Sequence, residues 1–86
     1  MKYIVYILKS SKSGIYYIGQ TKNLKKRMAE HNSGKSKSTK RGIPWNLMHE
    51  EIFNTRSEAM KRELSLKNIK KRIILEKLFK YRGVEK

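Results

Sequence analysis

The stretch Ile15–Asn32, IYYIGQTKNLKKRMAEHN, decides the fold. Its first six residues are β-branched or aromatic apart from Gly19 and Gln20, which predicts a strand over Ile15–Gln20. Thr21 or Asn23 then serves as cap for a short helix from Asn23 to about His31. At about 100° per residue, Leu24, Arg27, Met28 and His31 fall on one side of that helix. Lys25, Lys26 and Glu30 fall on the other. Two ionisable side chains therefore share the apolar face.

Upstream, Lys2–Lys9 (KYIVYILK) reads as a strand buried on both faces, because its apolar run barely alternates. Ser10–Gly14 is a turn cluster, so the two strands form a hairpin. Loop registers of two or four residues place Tyr6 directly opposite Tyr17, an odd loop does not, and the sequence leaves the register open. Downstream, 32–44 is a long basic loop and Trp45–Phe53 a third strand. Thr55-Arg56-Ser57-Glu58 is a capping box opening a helix that runs to about Asn68. A last helix, from about Lys70 to Tyr81, is expected to bury Ile73, Ile74, Leu78 and Tyr81, with Gly83 ending it. The order ββαβαα predicts a small α/β domain with a three-stranded antiparallel or mixed sheet flanked by helices. Residues 1–82 are expected to form this single domain and 83–86 a short basic tail.

The chain has 86 residues, 22 Lys+Arg against 7 Asp+Glu and a formal net charge of +15. All seven acids are Glu, and cysteine is absent, which excludes disulfide frameworks and thiolate metal sites. The longest apolar run, Ile4–Leu8, is far short of the ~18 residues a membrane span needs. No signal peptide is read, and a cytoplasmic location is expected. Self-repulsion at this charge erodes the stability of a small core, and a polyanion relieves it. Nucleic acid is the first partner to consider, an anionic membrane surface the second.

A few residues stand out against this background. Glu63 lies within an apolar arc of its helix beside Ala59, Met60 and Leu66. A carboxylate there needs a partner: either Lys67 at i+4 or a metal ion. Arg27 and His31, one turn apart, either cover the rim of the core or converge on a ligand. Arg suits a phosphate, and His moves protons near neutral pH. Tyr6 and Tyr17 are core aromatics or phenols facing a phosphate site. Gly19 is a simple strand-end glycine or a point of close backbone approach.

Together, Tyr6, Tyr17-Ile18-Gly19, Arg27, His31 and Glu63 resemble the GIY-YIG nuclease domain, over essentially the whole chain. The small stand-alone bacterial members are the most similar, with Val5-Tyr6-Ile7-Leu8 as the first-motif strand. The string Gly14-Ile15-Tyr16 spells that first motif but abuts the second; the equivalent segment is Ile4-Val5-Tyr6. Tyr16 then points to the opposite strand face from Tyr17. Lys40 stands where some homing enzymes carry a histidine, and Asn68 matches a downstream asparagine.

The resemblance implies hydrolysis of a DNA phosphodiester with one divalent ion, Mg²⁺ or Mn²⁺, held by Glu63. The lack of Asp independently disfavours a two-metal site, which needs several convergent carboxylates. Arg27 would clamp the phosphate and Tyr6 would serve as general base or hold the water. Tyr17 and His31 would tune the phenol or relay the proton, while Ile18 and Gly19 shape the motif. Phosphate contacts are expected from Lys25, Lys26, Lys35, Lys37, Lys40, Arg41, Lys70, Lys71 and Arg72. DNA is the expected ligand and RNA a second candidate, with specificity lent by DNA structure or a protein partner. Two rivals share these features: a noncatalytic nucleic-acid-binding module on the same fold, and a basic protein that complements an acidic partner.

Overall fold

A computed structural model describes residues 2–80. The predicted Tyr81, Gly83 and tail 83–86 lie outside the described residues. The sheet has the order β2-β1-β3, with β1 (Tyr3–Ser10) between β2 (Tyr16–Thr21) and β3 (Trp45–Phe53), antiparallel throughout. The α/β class and the order ββαβαα are those predicted.

β1 is buried on both faces because it is central: Val5, Tyr6, Ile7 and Leu8 are each at most 1% exposed. Alternation sends Val5 and Ile7 to one face, where Ala59, Leu66 and Leu75 join them. Tyr6 and Leu8 go to the other face, where Trp45, Tyr17, Leu24 and Met28 pack. Helix α1 (Leu24–Ser33) covers the Tyr6 face, and α2 (Arg56–Lys67) and α3 (Arg72–Glu76) the Val5 face. The Asn23 side chain accepts the Lys26 amide at the start of α1, and Gly34, at φ 87°, ends it. Thr55 likewise caps α2 by accepting the Glu58 amide.

One open point is settled and two expectations change. First, the hairpin register, which the sequence leaves open, pairs Tyr6 with Gly19 and Leu8 with Tyr17, so the two tyrosines share a face diagonally. Ser10 sets this register: its carbonyl accepts Gly14 N–H, its N–H donates to Ile15, and its hydroxyl accepts the amides of Lys12 and Ser13.

Second, the basic loop is stapled down. It contains a 3-10 turn at Lys40–Gly42. Trp45 donates its indole N–H to Thr39 O at 2.7 Å, Ser10 Oγ donates to Gly42 O, and the Asn32 amide brackets the Trp45 backbone. A side chain at Gly42 would sit 2.3 Å from the Trp45 ring, so the turn needs glycine there.

Third, α3 is shorter than predicted and presents another face. Ile73, Ile74 and Leu78 are 60%, 48% and 37% exposed, and the buried residue is Leu75. The reason is Tyr16, whose phenol donates to Glu76, whose ring lies 4.8 Å from the Arg72 guanidinium, and which packs edge-on to Phe79. These anchors at 72, 76 and 79 rotate Leu75 inward and turn the isoleucines out. They also occupy Arg72, which the sequence had grouped with Lys70 and Lys71 as a phosphate contact.

Candidate active site

The pairing of Tyr6 with Gly19 builds the centre of the site. A Cβ on Gly19 would stand 2.7 Å from the Tyr6 hydroxyl and 3.1 Å from the Tyr17 ring. The missing side chain therefore lets both phenols lie against β2. Tyr6 Oη is 2.9 Å from His31 Nε2. His31 Nδ1 is 2.8 Å from Thr39 Oγ1, whose hydroxyl reaches Ser36 O. If the threonine proton is spent on that carbonyl, Nδ1 donates to Thr39 and Nε2 accepts the Tyr6 proton. Tyr17 stacks edge-on to His31, with ring centres 5.0 Å apart, and to Trp45.

Arg27 donates to Glu30 at 2.9 Å, and its charge also engages the phenols of Tyr6 and Tyr17. The helix wheel puts Glu30 on the other side from Arg27, but at i+3 its carboxylate reaches back to fix the guanidinium. Arg27 is held more firmly charged than usual by Glu30 first and Tyr6 second. Burial pushes the Tyr6 phenol up to about 12, with Arg27 partly opposing. Burial also draws His31 below the usual imidazole range, and Arg27 adds to this. At neutral pH the site thus contains a protonated phenol, a neutral imidazole and a fixed guanidinium.

Glu63 approaches from the α2 face. Its Oε2 pairs with Lys67 Nζ at 2.7 Å, and its Oε1 accepts the Gln20 amide at 2.9 Å. Gln20 follows Gly19 in the edge strand, so consecutive residues hold the phenols on one face and the carboxylate on the other. The Glu63 charge still reaches Tyr6 and contributes to raising its pKa. Among the described residues, no three His, Cys, Asp or Glu are grouped to hold a metal. One carboxylate suits an ion such as Mg²⁺, which keeps several waters and completes its shell with substrate phosphate. Glu63 is the carboxylate that would hold such an ion, and here its Oε2 has the i+4 partner Lys67 that the sequence offered as the alternative.

Beside Arg27 a cavity of about 300 Å³ is lined by Thr21, Lys22, Asn23, Lys26 and Glu30. Of the predicted phosphate contacts, Lys26 enters this cavity. Lys25, Lys35, Lys37, Lys40, Arg41, Lys70 and Lys71 are exposed on the surface. Asn68 caps α2 through its backbone N–H and is exposed. Ile18 is not in the phenol cluster and packs against the Val5 core.

Sequence reasoning missed Gln20 and Thr39. Gln20 carried a signal, since it adjoins the strand-end glycine. Thr39 carried none, because a threonine in a basic loop gives no hint of burial. It also missed a cluster on the α2 face. His49 donates to Glu51 and accepts the Lys80 amide at 2.9 Å, and Arg62 grips Glu51 with two bonds. Arg62 is the main cause of the lowered Glu51 pKa.

A three-stranded sheet that sets two tyrosines, an arginine and a histidine around a strand glycine defines a recognisable class. The sequence model for the GIY-YIG catalytic domain matches residues 2–80, and the chain belongs to this nuclease family. It is 43% identical to a UPF0213 protein of Staphylococcus saprophyticus over 67 residues, 77% of this chain and 80% of that one. A UPF0213 protein of Halobacterium salinarum is 42% identical over 66 residues, 76% of this chain and 84% of that one. The solution NMR structure of a UPF0213 protein from Bacillus halodurans is similar in fold, with a TM-score of 0.54 and 33% identity. That match covers 86% of this chain and 79% of the other. No helix among the described residues is long and apolar enough to cross a membrane.

Proposed function

We propose that the protein is a metal-dependent endonuclease that hydrolyses DNA phosphodiester bonds, selecting DNA structure more than sequence, in repair or recombination. The observation that carries this reading is the 2.9 Å hydrogen bond between Tyr6 Oη and Nε2 of a buried His31, beside an Arg27 fixed by Glu30.

A phenol with a pKa of about 12 is not ionised at neutral pH, so Tyr6 is a poor base by itself. It works as a proton conductor. As its oxygen takes a proton from the attacking water, its own proton passes to His31 Nε2. The water oxygen bonds to phosphorus and the bond to the leaving oxygen breaks. Arg27, held in place by Glu30, stabilises the charge that builds on the phosphate oxygens. Tyr17 supports the Arg27 and His31 geometry through its contacts with both. Glu63 would hold one divalent cation, Mg²⁺ or Mn²⁺, which would supply positive charge at the phosphate and the leaving oxygen. Lys67 must release Oε2 for this, while the Gln20 amide keeps the carboxylate aimed. The exposed bases position the DNA backbone without reading sequence, leaving finer specificity to DNA shape or a protein partner.

The test is incubation with linear, flap and branched DNA in Mg²⁺ or Mn²⁺. Wild type should cleave at least one substrate, and Arg27→Ala should lose on the order of 10²–10³ in rate, as for a lost transition-state donor. Binding without cleavage on every substrate would instead support the noncatalytic module.

A further inference from the structure

A second cavity, of about 310 Å³, is lined by Tyr3, Gln20, Thr21, Lys22 and Arg56. It shares Thr21 and Lys22 with the cavity beside Arg27, so the two adjoin at that dipeptide. The second cavity contains no acidic residue, and its lining offers an amide, a hydroxyl and two cations. Neither Lys22 nor Arg56 makes an ion pair with any carboxylate among the described residues. Lys22 is instead directed by Tyr3, with its Nζ 5.6 Å from the ring centre. Gln20, which lines this cavity, also holds Glu63.

We propose that this cavity is a subsite for a backbone phosphate next to the scissile one on the same DNA strand, with Lys22 and Arg56 as its cations. The proposal rests on the nuclease reading for the position of the scissile phosphate at Arg27. The geometry supplies the path. A strand whose scissile phosphate is held by Arg27 and Lys26 runs past the shared Thr21-Lys22 lining and Gln20 before reaching Arg56. Lys22, which lines both cavities, serves both phosphates. Neither Lys22 nor Arg56 belongs to the basic runs that sequence singles out, because each is an isolated cation. Only the fold joins the start of α1 to the start of α2 across the end of β2. Such a contact fixes the strand's register across the site without adding sequence preference.

The test measures DNA binding in EDTA, where no metal-dependent cleavage occurs. Wild type is compared with the size-conserving double variant Lys22→Gln/Arg56→Gln. A Lys12→Gln/Lys61→Gln variant controls for net charge, since both those residues are exposed and line neither cavity. Loss of the contact to that one phosphate should make the log–log salt slope shallower by roughly 0.9 on duplex DNA, equally for all sequences. The control should change it by less. Flap substrates, whose branch point fixes the binding register, carrying one uncharged methylphosphonate at successive positions from the branch then locate the contact. Wild type should weaken at the flanking position, and the double variant should be insensitive there while still sensing the position held by Arg27.

A double variant that matches the control in slope and wild type in its methylphosphonate profile overturns the subsite while leaving the nuclease reading intact. The expected profile without cleavage in Mg²⁺ keeps the subsite and removes the nuclease reading. Inorganic phosphate at matched ionic strength should leave DNA affinity unchanged. Displacement of DNA from wild type but not from the double variant would mark a free-phosphate site and overturn the assignment.

Discussion

At the residue scale, the site depends on an atom that is absent. Gly19 has no Cβ, and the space is filled by the Tyr6 hydroxyl and the Tyr17 ring. Tyr6 is only 1% exposed and tied to His31, so it cannot swing away from an added methyl. Gly19→Ala should therefore cost about 1–3 kcal/mol, the usual range for overpacking, as measured by urea unfolding. His31 makes a second prediction. Burial holds its pKa below the unfolded value of about 6.5, so the folded chain binds fewer protons than the unfolded one as pH falls through that region. The resulting stability is present above about pH 6.5 and is lost progressively below it. Unfolding midpoints between pH 8 and pH 5 should fall for wild type and fall less for His31→Gln. Cleavage should decline on the same acid limb, because an imidazolium cannot accept the Tyr6 proton.

At the element scale, the helices divide by how they are anchored. α1 was legible because Asn23, the Leu24–Met28 face and Gly34 all agree on its position and rotation. α3 was not, because its rotation is set by Tyr16, a residue far away in sequence. Ile73, Ile74 and Leu78 looked like core on apolarity alone. The hairpin register was open in the sequence, because it depends on the Ser10 turn bonds. Leu75→Ala should accordingly cost about 2–5 kcal/mol in urea unfolding. Ile73→Lys should stay within about 0.5 kcal/mol, as for an ordinary surface position. The reverse ranking would restore the face that sequence predicted. The site was partly legible for the same reason. Arg27 and His31 share an α1 face that the wheel shows, whereas Thr39 and Gln20 enter through long-range packing.

At the scale of the whole molecule, the net charge of +15 has two roles. Most cations are exposed and interchangeable, and on the proposed nuclease reading they supply affinity for DNA. If about six phosphates are neutralised, DNA affinity should follow a log–log salt slope of roughly −5, measurable by fluorescence anisotropy from 50 to 300 mM salt. A few cations have defined partners: Arg27 with Glu30, Arg62 with Glu51, and Arg72 with Tyr16 and Glu76. These shape the fold and the site. The same division separates holding DNA from cutting it. Glu63→Gln removes one carboxylate charge and leaves the exposed cations in place, so binding in EDTA should persist. The most direct measurement is the single-turnover cleavage rate of Glu63→Gln beside wild type in Mg²⁺, on a substrate that wild type cuts. The account predicts that cleavage is abolished while DNA affinity is retained; cleavage at the wild-type rate would contradict it.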